Sequence, residues 1–161
     1  PDAPGATLDP ALVRLPEAGA VQRRVDIDHP DAALALYVQG REQGWAERAR
    51  YGLLAHMLST PYFNALRTER QFGYVVSAGA WVRMNTPGLY FVVQSPKVSP
   101  AVSAQATDEF LDAFATAAKQ LKTGNGFDDG VDVGPLIDDN ALTNARRLTG
   151  SPSRRPDRSR R

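Results

Sequence analysis

Leu66-Arg67-Thr68-Glu69-Arg70-Gln71-Phe72-Gly73-Tyr74-Val75-Val76 is the stretch that decides how this chain is built. Apolar residues at helical spacing run into it, four polar side chains (Thr68, Glu69, Arg70 and Gln71) make a turn, and β-formers follow Gly73. A helix therefore ends here and a strand begins. Arg67 carries a permanent cation and Tyr74 a phenolic hydroxyl, so two good donors for a carbonyl oxygen or an oxyanion stand at the rim of a sheet. Spacing alone also allows a plainer reading. Arg67 can be a helix C-terminal cation favoured by the dipole, and Tyr74 a strand residue half-buried against the helix. Gln71 and Gly73 serve the turn, with Gly73 allowing a backbone geometry that other residues resist.

Upstream, Ala46, Leu53, Leu54, Met57, Leu58 and Leu66 recur every three or four residues, which predicts a long helix from Gly44 with an apolar stripe on a sheet. Ser59-Thr60-Pro61 interrupts it, and Thr60 as N-cap with Pro61 first in the helix would restart it. Before the helix, Val21 to Ile27 and Ala33 to Gln39 read as two neighbouring strands joined by the turn Asp28-His29-Pro30-Asp31. Pro1 to Ala20 holds four prolines without period and reads as a linker or entry segment. The chain opens on Pro1, not Met, and reads as an internal piece of something longer.

Downstream, Tyr74 to Val76 and Ala80 to Val82, then the connection Met84-Asn85-Thr86-Pro87-Gly88, then Leu89 to Gln94, predict an antiparallel hairpin. Trp81, Tyr90 and Phe91 read as core or cross-strand packing. Ser99-Pro100 is a cap-then-proline start, and Ala106, Phe110, Ala113, Phe114, Ala117 and Leu121 hold helical spacing until Gly124 offers a C′ position. The fold class is α+β: an antiparallel-rich sheet with helices on one face, then a mostly irregular tail.

Composition agrees with one soluble domain, since 42% hydrophobic and 23% charged residues suffice for an ordinary core. Net charge is +1, so no global field recruits nucleic acid or a membrane surface. No run reaches the 18 apolar residues of a membrane span, and the first residues do not read as a signal peptide. The chain has no cysteine, which removes disulfides, thiolate metal sites and cysteine nucleophiles and leaves the compartment undecided.

The run Pro61-Tyr62-Phe63-Asn64-Ala65-Leu66-Arg67-Thr68-Glu69-Arg70-Gln71-Phe72-Gly73-Tyr74, with Gly88-Leu89-Tyr90-Phe91-Val92-Val93-Gln94-Ser95, resembles the C-terminal half of the pitrilysin and insulin-degrading (insulinase) zinc metallopeptidases. The likeness spans roughly Leu15 to Phe114, with Arg70 and Phe72 where acidic and smaller aliphatic residues are more usual. It implies a lobe of α+β fold that closes over an N-terminal lobe carrying an inverted His-x-x-Glu-His zinc site. Arg67 and Tyr74 match the arginine and tyrosine presented to substrate. Their implied catalytic and substrate-binding role is to hold the peptide backbone and stabilise the oxyanion formed when the scissile carbonyl is attacked. A peptide substrate, a zinc-bearing N-terminal lobe or subunit as partner, and a bacterial periplasmic or cytoplasmic setting follow from the same resemblance. So does truncation, because family domains continue with further helices and sheet past the point near Phe114.

The chain itself should bind no metal. The inverted motif read from His56 needs a glutamate at position 59 and a histidine at 60, where Ser59 and Thr60 stand. The upright motif fails at Met57 and Thr60, and His29 sits in a turn beside Pro30 without a spaced partner. Any zinc is therefore implied on the partner lobe, with no stand-alone activity expected.

Past residue 120 the character changes. Leu121 to Asp138 (LKTGNGFDDGVDVGPLID) resembles a short segment of the aldehyde dehydrogenases, most like the succinate-semialdehyde enzymes, at about 119–142. With no cysteine to attack an aldehyde, oxidoreductase activity is excluded on chemical grounds. Gly124, Gly126 and Gly130 miss the dinucleotide spacing, and a calcium loop begun at Asn125 would need ligands at Phe127 and Leu136. The last sixteen residues hold Arg146, Arg147, Arg154, Arg155, Arg158, Arg160 and Arg161, and the tail from Thr149 to Arg161 has no apolar period. Disorder is the default there, and no base-reading scaffold accompanies the arginines.

The expected organisation is thus a linker (1–20), a truncated metallopeptidase-lobe-like domain (21–120), a dehydrogenase-like scrap (121–145) and an Arg-rich tail (146–161). A non-catalytic binding or scaffold subunit and an inert chimeric gene remnant are the competing readings.

Overall fold

The computed structural model describes residues 12–15, 21–134 and 139–149. Strands β1 (Ala32–Gln39), β2 (Val75–Ala80) and β3 (Gly88–Ser95) form one antiparallel sheet in the order β1-β3-β2. β1 runs against β3 from Ala32↔Ser95 to Gln39↔Gly88, and β2 runs against it from Val75↔Gln94 to Ala80↔Leu89. Helix α1 (Trp45–Phe63) lies across β2 and β3, and α2 (Pro100–Gln120) packs against β1. Helix α3 (Asp139–Thr149) rests on α1. The fold is the α+β layer that the order of elements implies.

The central strand alternates, with Leu89, Phe91, Val93 and Ser95 buried and their neighbours half-covered. Val76 and Ala78 of β2 join that face, and α1 adds Ala55, Leu58 and Tyr62. Each such large apolar side chain contributes about 1.5–3 kcal/mol through burial. Tyr62 is the hub. Its ring meets Phe91 at 5.2 Å and Phe110 at 5.3 Å, both edge-on, and its hydroxyl lies 2.9 Å from Thr107 Oγ1. Thr107 spends its own proton on the Ser103 carbonyl at 2.8 Å, so Tyr62 must be the donor to Thr107.

Among the described residues no helix covers the other face of the sheet. Ala35, Leu36, Tyr37, Trp81, Tyr90 and Val92 line an apolar hollow of about 320 Å³ there. Tyr37 and Trp81 meet edge-on at 6.1 Å, and the Arg83 guanidinium lies 3.9 Å over the Trp81 ring. Phe91 is core as expected, whereas Tyr90 and Trp81 belong to this uncovered side.

The hairpin forms on the predicted connection, although β2 runs unbroken from Val75 to Ala80 and leaves Trp81 and Val82 outside it, and the second helix starts where the sequence places it. The hairpin tip is Met84-Asn85, both at positive φ (45° and 63°), closed by reciprocal 2.8 Å bonds between Arg83 and Thr86. Two such residues give the mirror-image turn that matches strand twist. Ser99 caps α2 by accepting from the Val102 amide at 3.3 Å, with Pro100 in the first turn.

Four local expectations fail for identifiable reasons. Val21 to Ile27 is not a strand: no ladder partner stands beside it among the described residues, and Val21, Val25 and Ile27 are exposed. Pro61 does not restart the helix. α1 continues through it because Leu58, Tyr62 and Leu66, four apart, are all fully buried, and that packing outweighs the local proline cost. The predicted stripe is rotated: Leu53, Leu54 and Met57 face outward, while Tyr51, Ala55 and Tyr62 join Leu58 on the sheet side. Gly124 is not a C′ residue either. α2 stops at Gln120 because Leu121 turns extended (ψ 123°), and Gly124 donates instead to the Val133 carbonyl.

Of the carboxy-terminal segments, α3 crosses the expected boundary at 145/146 and includes Arg146 and Arg147. Most of the entry segment 1–20 and the tail from 150 on, with Arg154 to Arg161, lie outside the described residues. Among the described residues, no helix is long and apolar enough to cross a membrane.

Candidate functional site

Beyond Phe63, α1 widens into a π-helical turn, Asn64–Glu69, in which Arg70 N donates to Ala65 O at 3.2 Å. Such wider turns change which way side chains face, and Arg67 sits within this one. The chain then reverses at Gln71, whose φ of 53° puts a residue with a side chain in the left-handed region. Gly73 is therefore not the residue with special dihedrals, contrary to the sequence reading. Its value is space: a Cβ there would stand 2.0 Å from the Gln94 carbonyl oxygen. Only glycine lets the chain pass this close to the end of β3.

Several contacts pin the passage. Phe72 N donates to Leu66 O at 3.1 Å, and the Phe72 side chain packs on the core. Buried Ser95 donates its hydroxyl to Phe72 O and accepts from Lys97 N and Val98 N at 3.0 Å each. Arg70 reaches α2 and pairs with Glu109 at 3.0 Å. Together these hold Tyr74 at the mouth of β2 and opposite the end of β3.

Arg67 and Tyr74 line the same open groove, of about 610 Å³, together with Phe63, Thr68, Gln71, Gly73, Pro96 and Lys97. Its lining carries two cations and no carboxylate. Arg67 is half-buried, and neither it nor the Lys97 side chain has an ion pair or side-chain hydrogen bond among the described residues. Tyr74 is exposed, and its oxygen accepts from Gln94 Nε2 at 2.6 Å, while the same nitrogen donates to Asp31 Oδ2 at 3.1 Å. The Tyr74 phenol is held above the ordinary tyrosine range, first by lost hydration and then by the Asp31 carboxylate, with the Gln94 donor opposing. It therefore keeps its proton at neutral pH and stays a donor.

The sequence reading named Arg67 and Tyr74 but overlooked Gln94, Asp31 and Lys97. The signal available for Gln94 was its place at the end of an apolar strand, where a polar residue stands out. Nothing in the spacing linked Asp31 to Tyr74.

Among the described residues, no three of His, Cys, Asp or Glu cluster closely enough to hold a metal ion. His29 Nδ1 is occupied by the Asp31 amide at 3.0 Å, and His56 lies exposed on α1.

Comparison with known proteins adds the lineage. Residues 53–127 match the family model described as PQQ synthase PqqF-like, C-terminal lobe domain 4. Human insulin-degrading enzyme is 34% identical over 87 residues, which is 53% of this chain and 8% of that enzyme. Pitrilysin superposes with a TM-score of 0.52 at 26% identity, over 59% of this chain and 10% of its own. The chain is homologous to the C-terminal lobe of insulinase-type metallopeptidases. Coenzyme PQQ synthesis protein F of Pseudomonas protegens extends the likeness, 32% identical over 108 residues, or 66% of this chain and 13% of that protein. The chain thus spans only a small part of the relatives it matches. The other resemblance has a slighter counterpart: a malonate-semialdehyde dehydrogenase of Listeria monocytogenes is 58% identical over 36 residues, 22% of this chain and 7% of that enzyme.

Proposed function

We propose that this chain supplies the substrate-contacting part of a peptide-hydrolysing site whose zinc is carried by another, N-terminal lobe. Arg67 and Tyr74 hold the peptide backbone and donate to the carbonyl oxygen as it gains negative charge. The metal ion would supply Lewis-acid chemistry on its own lobe. One observation carries the reading: a guanidinium with no ion pair or side-chain hydrogen bond among the described residues and a protonated phenol line one open groove. Homology to the C-terminal lobe of metallopeptidases supports this reading of the groove.

The test is complementation. The purified chain is mixed with the zinc-bearing N-terminal lobe of a relative and a fluorogenic peptide. Hydrolysis should rise above that of the lobe alone and fall about 100-fold in Arg67→Ala or Tyr74→Phe, the usual cost of one oxyanion donor. Peptide binding without any gain in hydrolysis would favour a non-catalytic binding subunit instead.

A further inference from the structure

We propose that Gln94 is a positioning residue for Tyr74: its side-chain amide occupies the phenol oxygen as an acceptor, so that the phenol proton is the donor left for a ligand in the groove. The inference rests on the reading of Tyr74 given above only for the identity of that ligand, a peptide carbonyl.

The orientation of the amide follows from chemistry. An ionised carboxylate only accepts, so the side-chain atom of Gln94 that lies 3.1 Å from Asp31 Oδ2 must be the nitrogen. Reversing the amide would set two acceptors against each other. The same NH2 group then directs its second hydrogen at the Tyr74 oxygen, 2.6 Å away. A phenol oxygen engaged in this way has one proton still to place, and it must point away from Gln94. The backbone makes the arrangement repeatable. Gln94 is on the central strand, in register with Ala33 of β1 and Val75 of β2, so Asp31, two residues before Ala33, and Tyr74, one residue before Val75, enter the sheet on either side of it. Gly73 brings the chain against the Gln94 carbonyl just before Tyr74.

The charged groups around the phenol come from three sides. Asp31 stands on the turn before β1, Arg67 on the π-helical turn and Lys97 on the connection after β3. The carboxylate is the resting acceptor nearest the phenol proton, and a ligand carbonyl entering between the two cations would replace it.

The full chain labelled with 13Cζ-tyrosine tests this by NMR titration, the Tyr74 resonance being assigned from Tyr74→Phe. Gln94→Leu removes a donor that favours the phenolate, so the Tyr74 midpoint should rise, whereas Asp31→Asn should lower it. In the unsubstituted chain, the Gln94 side-chain amide resonances should move with the same midpoint as Tyr74. That measurement stands even if Gln94→Leu does not fold. A Tyr74 midpoint unmoved or lowered in folded Gln94→Leu, or Gln94 amide signals blind to Tyr74 ionisation, would overturn the inference. A titration that behaves as expected in a chain that binds no peptide overturns the proposed function and leaves the positioning intact.

Discussion

Gly73→Ala and Gly52→Ala are the same chemical change with opposite expected signs. At Gly73 the new methyl would lie 2.0 Å from the Gln94 carbonyl oxygen and 3.0 Å from Ser95 Cα, both backbone atoms of the central strand. No side-chain rotation relieves that overlap, so β3 or the turn must shift. The cost is at the upper end for overpacking, about 3 kcal/mol. At Gly52, inside α1 and exposed, a Cβ meets nothing within 4 Å, and alanine recovers about 0.5–1 kcal/mol of helix propensity. For a chain between small and medium size each kcal/mol moves Tm by roughly 2–8 °C, so Gly73→Ala should lose roughly 6–24 °C and Gly52→Ala gain a few degrees. Thermal melts followed by circular dichroism and by Trp81 fluorescence report both. Gly73→Ala melting like the unsubstituted chain, or the two variants moving in the same direction, would refute the close-approach account of the turn.

Other outcomes follow from the same contacts. Tyr62→Phe removes the donor to Thr107 but leaves Thr107 bonded to Ser103, so the loss should be about 1 kcal/mol in urea unfolding, and a loss near zero would mean the hydroxyl pair is not formed. The Glu109 carboxyl is held below its ordinary value of 4.5, chiefly by the Arg70 hydrogen bond and then by Gln105. A depressed folded pKa means stabilisation that is present above 4.5 and lost as pH falls through the folded value. Glu109→Gln should therefore flatten the acid limb of the stability profile slightly, which melts between neutral pH and pH 3 would detect.

Much of the fold was legible because local and tertiary signals agree in it. Ser99-Pro100 both caps α2 and enters it, and the alternating Leu89 to Gln94 run becomes the central strand. Disagreement between levels explains the rest. Pro61 is a local stop that Leu58, Tyr62 and Leu66 override by burial, and the same rotation sends Leu53, Leu54 and Met57 outward. Val21 to Ile27 has strand composition, but a strand requires a neighbour that composition does not supply. Helix α3 is short, but Ala141, Leu142, Ala145 and Leu148 recur at helical spacing in its sequence, a signal passed over in favour of its arginines. At the site, Arg67 and Tyr74 were readable as donors in one short stretch. The Asp31-Gln94-Tyr74 contact joins the turn before β1, the end of β3 and the entry to β2, which meet only once β1 and β2 have paired with β3.

The central claim, that a peptide is met by the Arg67 and Tyr74 groove, is tested most directly by mapping an unstructured peptide onto the isotope-labelled chain by NMR. Shifts should concentrate at the Arg67 side chain, Thr68, Gln71, Gly73, Tyr74 and Lys97, and should weaken in Arg67→Ala. Shifts centred instead on Tyr37, Trp81 and Tyr90 across the sheet, or a map unchanged by Arg67→Ala, would contradict it.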